Sequence, residues 1–229
     1  MEDATSIVKL SYLGNSCIMV TSPQGTRIVS DPYGSNRPPG LLDLPKDLAA
    51  EAVTVSHIHD DHNNISAVGG NPQIFTEPGA TRIGSFMVTG LMGWEGSPEG
   101  PSKTMRNIIF VYELGGIKIV QLGDSGIITD PEILEKIANP DLVVVNIDGY
   151  VIAHDMILPF MQQIKARTVL LAHYTLPDQD NWCGAPTADE FVSKFAQSSK
   201  VLRSNSQINV VPGMPEQIAI LQPLMLNEE

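Results

Sequence analysis

The sequence has 229 residues, 42% of them hydrophobic, and a formal net charge of −12, so it can build one domain with a full core but offers no basic surface for a nucleic-acid backbone. Its longest apolar runs have the length of strands, far short of the roughly 20 residues that a membrane helix needs. Two cysteines exclude a disulfide framework or a cysteine zinc site, and a first segment without the features of a secretory signal favours a cytoplasmic location.

Strands are predicted throughout the first half, where short apolar runs alternate with turn residues. They are expected at Ile7–Leu13, Cys17–Thr21, Arg27–Ser30, Ala52–Ser56, Gln73–Thr76, Ser85–Leu91, Asn107–Glu113 and Ile117–Leu122. Helices are expected later, at Pro131–Ile137, Asp155–Ile164 and Thr187–Phe195, between strands at Leu142–Ile147, Thr168–Ala172 and Ile208–Val211. This order predicts a single α+β domain over residues 1–229, in which two sheets pack face to face with helices outside.

Two Gly/Pro-rich stretches interrupt the regular elements, at Tyr33–Gly40 and Glu95–Lys103. Both are too short to link two domains, and each follows directly on a strand. We therefore expect them to form the rim of a pocket.

The strand that begins at Ala52 runs into His57-Ile58-His59-Asp60-Asp61-His62, which holds three of the five histidines of the sequence. Side chains alternate along an extended chain, so His57 and His59 can reach one ion while Asp61 and His62, on the turn that follows, point to a second. Imidazole and carboxylate groups are ligands of zinc, manganese and iron. The motif therefore predicts a metal site rather than a set of solvated loop histidines.

Two later strands end in residues that can complete this site. An apolar strand stops at Gly123 and presents Asp124, whose two carboxylate oxygens can bridge two cations. A second apolar strand ends at His173. An aspartate beside a glycine is by itself only a turn signal, and a lone histidine is more often structural. Together with the first motif, both residues are predicted ligands.

In this order the motifs resemble the metallo-β-lactamase superfamily, and within it the branch that includes L-ascorbate-6-phosphate lactonase and N-acyl-phosphatidylethanolamine phospholipase D. The segments similar to that family are Tyr12–Ser16, Ile28–Pro32, Ser56–His62, Leu122–Gly126 and Ala172–Tyr174. The resemblance covers nearly the whole chain. It implies an αββα sandwich, with two mixed β-sheets face to face, helices outside and metal ions at the sheet edges.

The same resemblance implies a role for each residue of the site. His57 and His59 would hold the first ion, Asp61, His62 and His173 the second, and Asp124 would bridge the two. Asp31 would orient a histidine of the first motif by accepting its other ring N–H, which fixes the tautomer.

The sequence departs from the family at one ligand of the first ion. Family members usually have a further histidine before the bridging aspartate, and the corresponding residues 89–96 contain none. Glu95 falls closest to the expected position, and a carboxylate there would favour manganese or iron over zinc. Three alternatives stay open: water in that position, a weakened first site with one tight ion, or His154 turning in from the start of its helix.

The implied chemistry is hydrolysis of a small molecule. Two divalent ions, with zinc or manganese preferred to iron, lower the pKa of a shared water, so that a metal-bridging hydroxide can attack a lactone or other ester, an amide or a phosphodiester. Asp61 or Asp124 would accept a proton during turnover. His154 and Tyr174 are the candidates for contacting the substrate.

Two other classes of protein compete with a hydrolase. A degenerate, non-catalytic member of the same fold, which binds a metal or ligand only, would explain the missing histidine, and a redox enzyme could use iron in the same ligand set. The sequence predicts neither a nucleic-acid partner nor a membrane span. Its tail at Leu221–Leu226 leaves room for a homo-oligomeric contact.

Overall fold

A computed structural model describes residues 7–97 and 104–224 of the chain. The described residues form fourteen strands, three α-helices and one 3₁₀ helix. The strands are β1 (Val8–Gly14), β2 (Cys17–Thr21), β3 (Arg27–Ser30), β4 (Ala52–Thr54), β5 (Gln73–Phe75), β6 (Gly79–Ile83), β7 (Phe86–Trp94), β8 (Arg106–Leu114), β9 (Ile117–Gln121), β10 (Leu142–Asn146), β11 (Thr168–Ala172), β12 (Val201–Ser204), β13 (Gln207–Val210) and β14 (Gln217–Leu221). The α-helices are α1 (Pro131–Ile137), α2 (His154–Gln163) and α3 (Ala188–Phe195), and the 3₁₀ helix spans Ile65–Ala67.

The strands form two mixed sheets. The six-stranded sheet has the order β13-β1-β2-β3-β4-β5, antiparallel as far as β3 and parallel from β3 to β5. The eight-stranded sheet has the order β12-β14-β11-β10-β9-β8-β7-β6, parallel as far as β9 and antiparallel beyond it. Two mixed sheets with few helices confirm the expected fold.

The α-helices belong to the crossovers of the larger sheet. A parallel pair of strands needs a crossover connection, and α1 and α2 supply it between β9, β10 and β11. Asp130 caps α1 by accepting hydrogen bonds from the main-chain N–H groups of Glu132 and Ile133, with Pro131 at the first helical position. In the smaller sheet the parallel connections among the described residues are loops and the 3₁₀ helix.

The core lies between the two sheets. Leu10 and Ile18 of the smaller sheet and Val143 and Leu170 of the larger one have no exposed surface. Every residue of β10 and β11 is buried, because strands inside a parallel sheet are covered on both faces and are therefore mostly apolar. No helix in the described part of the chain is long and apolar enough to cross a membrane.

The candidate site lies where the carboxyl ends of parallel strands from both sheets meet. Residues that follow these strands are Asp31 after β3, His57 after β4, Asp124 after β9, Asp148 after β10 and His173 after β11. Hydrogen bonds join the two sheets at this edge: the main-chain N–H of Ile108 donates to the Ser56 carbonyl at 2.7 Å, and Gln121 Nε2 donates to the Ser16 carbonyl at 2.9 Å. The loops at this edge are therefore fixed to both sheets.

Most of the predicted elements are present, and four of them, β2, β3, β11 and α1, have the predicted bounds. Three strands were not predicted. β6 is exposed over most of its length, β12 is a short edge strand, and β14 is a short interior strand close to the end of the described chain. The two edge strands, β6 and β12, lack the apolar alternation on which a sequence-based prediction depends.

Candidate metal centre

The loops at this edge bring all seven predicted metal ligands together. Their ligand atoms form three groups, each within 4.8 Å: His57, His59 and Glu95; His57, His62 and Asp124; and Asp61, His62 and His173. His57 and His62 each belong to two groups, so the three groups form one continuous cluster. The first motif supplies four of the seven side chains, as its spacing predicts, and the other three come from the ends of β7, β9 and β11.

Asp124 reaches the cluster through a turn that only glycine fits. Gly123 has a φ of +57°, and a Cβ atom there would lie 2.5 Å from Ser56 Cβ and 2.6 Å from Asn107 Oδ1. The Asn107 side chain fastens this turn, since its Nδ2 donates to the Leu122 carbonyl at 2.9 Å and its Oδ1 accepts from the Asp124 N–H at 3.0 Å. The glycine that marks the end of the strand therefore lets Asp124 approach the first motif.

The buried ring of His62 fits a metal ligand. Its Nδ1 lies 3.2 Å from Asp31 Oδ2 and its Nε2 lies 3.3 Å from Asp124 Oδ1, yet neither nitrogen forms a hydrogen bond of good geometry within the described residues. A buried polar atom without a partner costs about 1–3 kcal/mol, so such atoms are rare in native proteins. The donor set of imidazole nitrogens and carboxylate oxygens around it matches what divalent transition metals bind.

Asp31 stands directly behind His62. It follows β3 with a φ of +50°, and its carboxylate accepts from the main-chain N–H of Ser56 at 2.7 Å, from Ser56 Oγ at 2.9 Å and from Gln121 Nε2 at 3.1 Å. A residue other than glycine in left-handed backbone is strained and persists where its surroundings determine it. Its place beside the ring suits the predicted role of orienting a histidine of the first motif.

Glu95, the predicted third ligand of the first ion, lies beside His57 and His59. It follows β7, pairs with Ser125 in an isolated β-bridge and is only 8% exposed. Its Oε2 has no hydrogen-bond partner among the described residues, and it groups with His57 and His59. Burial raises the pKa of the Glu95 carboxyl. The structure thus brings a carboxylate to the position where the sequence lacks an imidazole.

The electrostatics of the cluster keep two of its residues, His57 and Asp124, in forms that can bind a metal, whereas carboxylates beside His62 and His173 outweigh burial and raise the pKa of both imidazoles. Burial lowers the pKa of His57 to about 4, so this imidazole is neutral at pH 7 and has a free lone pair. Burial opposes ionisation of Asp124, but His62 and His57 beside it hold the pKa of Asp124 well below its ordinary value. A neutral imidazole and an ionised carboxylate are the forms that coordinate cations.

His154 and Tyr174, the predicted substrate contacts, are not in this cluster. His154 Nε2 lies 3.0 Å from the Ile147 carbonyl, and its ring packs against Phe195 with 5.3 Å between ring centroids. The Tyr174 hydroxyl donates to the Leu221 carbonyl at 2.9 Å, and the side chain is buried. Each side chain thus has a hydrogen-bond partner inside the fold, and His154 does not belong to the three groups of potential ligands among the described residues; contact of His154 or Tyr174 with a substrate stays a prediction.

Two polar residues at the carboxyl end of β10 were not predicted, Asn146, the last residue of the strand, and Asp148, which follows it. Asn146 Nδ2 donates to Asp124 Oδ1 at 2.5 Å, while its own Oδ1 accepts from Ser16 Oγ at 2.6 Å. Asp148 Oδ2 lies 3.4 Å from His173 Nδ1, and its Oδ1 accepts from the main-chain N–H of Tyr150 at 2.6 Å. For Asp148, which precedes Gly149, the signal is the one that identified Asp124, a polar residue beside a glycine after an apolar strand; Asn146 has no neighbouring glycine.

Three further loops surround the cluster. Asp60 Oδ2 accepts from Ser35 Oγ at 3.1 Å and from the Asn36 N–H at 2.9 Å, which ties the predicted rim at Tyr33–Gly40 to the metal motif. The Trp182 ring lies 4.6 Å from the His173 ring between centroids. Of the second predicted rim, Glu95–Lys103, residues 98–103 lie outside the described part of the chain.

Comparison with known proteins agrees with this architecture. Residues 9–173 match the model of the Beta-lactamase superfamily domain. A UPF0173 metal-dependent hydrolase from Thermococcus onnurineus is 24% identical over 193 residues, which cover 73% of this chain and 85% of that protein. The narrower branch with ascorbate-6-phosphate lactonase and N-acyl-phosphatidylethanolamine phospholipase D is not confirmed.

Two solved structures share the fold. A proposed Zn-dependent hydrolase of the metallo-β-lactamase superfamily from Thermotoga maritima superposes with a TM-score of 0.72 at 24% identity, covering 94% of this chain and 100% of that one. Igni18, a metallo hydrolase from Ignicoccus hospitalis, superposes with a TM-score of 0.66 at 17% identity, covering 90% of this chain and 98% of that one. At these identities the likeness establishes the fold alone.

Proposed function

Since this chain belongs to the β-lactamase superfamily domain family, we propose that it is a metal-dependent hydrolase that uses two divalent ions to cleave an ester, a lactone, an amide or a phosphodiester in a small molecule. The first ion would be held by His57, His59 and Glu95 and the second by Asp61, His62 and His173, with Asp124 between them. This assignment follows the three groups of ligand atoms that lie within 4.8 Å of one another.

The observation that carries the proposal is the unpartnered Nε2 of His62. This nitrogen is buried and faces two carboxylates, at 3.3 Å from Asp124 and 3.7 Å from Asp61, without a hydrogen bond of good geometry to a described residue. A structural histidine would satisfy both ring nitrogens within the protein. A nitrogen directed at carboxylates that are themselves ligands is the arrangement of a metal centre.

Bound at these residues, two divalent cations would supply a water of lowered pKa as the nucleophile and an electrophile for the developing oxyanion. The protein residues would orient that water and accept its protons. Asp61, which lies 3.1 Å from His173 Nε2, and Asp124 are the carboxylates that would accept a proton during turnover. Asp31 and Asp148 hold the outer sides of His62 and His173.

Glu95 would influence which metal ion the first position prefers. Exchange of an imidazole for a carboxylate makes the first position harder and more negative, which favours manganese or iron over zinc there. The second position keeps two imidazoles and one carboxylate, a set that zinc and manganese both accept. We propose zinc or manganese as the resident ions, with iron as a third choice.

Metal analysis of protein purified without chelator tests the proposal. Two divalent ions per chain are expected, and Asp124→Ala should reduce both the metal content and the turnover of a p-nitrophenyl ester by at least about 100-fold, since both ions depend on this residue. His57→Ala should have a similar effect on turnover. His154→Gln removes a histidine outside the cluster and should leave metal content unchanged.

A different metal content would favour the competing explanation. Less than one ion per chain in the wild-type protein, together with absent ester and phosphodiester turnover, would identify a degenerate member of the fold. Normal metal content in Asp124→Ala would remove this assignment of the site.

A further inference from the structure

The charges around the cluster restrict which substrates can approach it. Two divalent cations carry four positive charges. The four carboxylates of Asp31, Asp61, Glu95 and Asp124 balance these charges, and the carboxylate of Asp148 adds a further negative charge. A histidine in place of Glu95 would leave one more positive charge at the centre. The loaded centre therefore has no excess positive charge with which to attract an anion.

Four described loops near the cluster contain little positive charge of their own. We call residues 31–44, 57–64, 147–152 and 174–186 the mouth loops, and the one Lys or Arg within these described ranges is Arg37. Its Nη1 lies 2.7 Å from Asp43 Oδ1 and also donates to the Gly34 carbonyl, while its Nε donates to the Leu41 carbonyl. Proteins hold phosphate and carboxylate substrates with Arg or Lys donors, and here the donors of Arg37 already have partners.

The exposed charges of the mouth loops are acidic. Asp60 lies in the metal motif, and Asp178 and Asp180 lie in the loop that places Trp182 against His173. A Cβ atom at Gly40 would lie 2.9 Å from Gln179 Cδ, so this loop also meets the first rim loop beside the cluster. Exposed carboxylates near a concave site repel anions and lower their rate of encounter.

Three large apolar side chains are exposed in the same loops, and two of them, Ile58 and Tyr150, lie next to residues of the cluster, whereas Leu42 lies in the first rim loop. Ile58, between the ligands His57 and His59, is 79% exposed, and Tyr150, two residues after Asp148, is 54% exposed. Single exposed apolar residues are common on protein surfaces. Here both lie on segments whose neighbouring side chains form or back the cluster, where they can contact an apolar part of a substrate.

From this distribution of charge and apolar surface we propose that the site hydrolyses a neutral ester or lactone with an apolar acyl group and discriminates against anionic esters and phosphodiesters. The inference rests on the hydrolase function proposed above and narrows its substrate class. In the reaction, water adds its hydroxyl to the acyl carbon, the acyl C–O bond breaks, and the leaving oxygen takes a proton. The acid that forms loses its remaining proton, and the acidic mouth loops repel this anionic product, which aids its release.

A matched pair of substrates tests the charge preference. With metal-loaded protein, kcat/KM for p-nitrophenyl butyrate should exceed that for the anionic p-nitrophenyl hemisuccinate by at least about tenfold, the effect of a few screened charges near the path of approach. Salt screens repulsion, so raising the ionic strength should increase kcat/KM for the hemisuccinate and leave the butyrate nearly unchanged. Bis(p-nitrophenyl) phosphate should be the poorest of the three.

Charge variants locate the effect in the mouth loops. Asp178→Asn combined with Asp180→Asn should raise kcat/KM for the hemisuccinate severalfold and leave that for the butyrate unchanged. The matched control, Glu132→Gln with Glu135→Gln, removes two exposed charges from α1 and should change neither value. An equal effect of both double variants would overturn the role of these loops.

An acyl-chain series tests the apolar contact. kcat/KM should rise from acetate to hexanoate esters, and Ile58→Ser should flatten this rise. Ile7→Ser serves as the control, because Ile7 is also exposed but precedes β1, whose other end lies at the site. No dependence on chain length would overturn the apolar part of the inference.

The possible failures are distinguishable. If two ions are bound and the anionic ester or the phosphodiester is turned over as fast as the butyrate, the charge preference is wrong while the hydrolase function stands. If metal-loaded protein turns over none of the three, the hydrolase function falls and this inference falls with it.

Discussion

Glu95 is the residue that most distinguishes this site from the family it belongs to. It is buried, its Oε2 is unpartnered within the described residues, and it groups with His57 and His59. Burial raises the pKa of the Glu95 carboxyl, and the nearby carboxylates of Asp124 and Asp61 add to this increase. Such a side chain is stable when a positive charge lies between the carboxylates.

We therefore expect Glu95→Gln to lower the metal content from two ions per chain towards one and to reduce turnover by about 100-fold or more, since a neutral amide is a weak ligand. Glu95→His should restore two ions and shift the preference towards zinc. Metal analysis and competition with a chelating dye measure both effects. Unchanged stoichiometry in both variants would show that Glu95 is only a loop residue.

The connections between elements hold the ligands in register. The end of β7 carries Glu95, and the loop after β10 carries Asp148, which backs His173. These two segments touch at Gly96, where a Cβ atom would lie 1.8 Å from the main-chain oxygen of Val151. The contact is between main chains, so neither partner can turn a side chain away.

Gly96→Ala should therefore separate the two segments, lower the free energy of unfolding by about 2 kcal/mol and weaken binding of the first ion. Urea denaturation and metal titration measure these two effects. Gly69→Ala is the matched control, because the nearest atom to its added Cβ lies at 3.4 Å and its φ is not positive. Comparable losses in both variants would show that the effect does not depend on the contact with Val151.

The whole molecule concentrates its buried charge at one edge of the sandwich. Four histidines and the carboxylates of Asp31, Asp61, Glu95, Asp124 and Asp148 lie together there, and the other buried carboxylate among the described residues is that of Asp141. Buried like charges disfavour the folded state unless counter-charge compensates them. A cation that binds the folded chain and not the unfolded one stabilises it by mass action, about 2.7 kcal/mol at a free concentration 100 times the Kd.

Removal of metal with a chelator should therefore lower Tm by about 5–10 °C, given about 2–4 °C per kcal/mol for a domain of this size. Addition of Mn²⁺ or Zn²⁺ should restore it, and differential scanning calorimetry records both changes. Asp124→Ala protein should show a much smaller shift on metal addition. A wild-type Tm that does not respond to metal would contradict a two-ion centre in the folded protein.

The sequence by itself determined most strands and the identity of the seven clustered ligands. The apolar runs of β2, β3 and β11 have local patterns with sharp ends, and the first motif is contiguous, so short-range information suffices for them. Asp124 and His173 were predictable because each follows an apolar strand and the first motif needs further ligands to complete a metal site. The roles of all seven residues stay predictions until metal and activity are measured.

Tertiary structure alone decided which strand ends adjoin. Asn146 meets Asp124 and Asp148 meets His173 because β9, β10 and β11 are neighbours in one sheet, a pairing between residues 22 and 25 positions apart that no local pattern contains. The partners of His154 and Tyr174 could not be predicted for the same reason, since the carbonyl groups beside them, on Ile147 and Leu221, belong to other parts of the chain. The chemistry of a side chain follows directly from the sequence, whereas the partner of a buried polar group depends on how the chain packs.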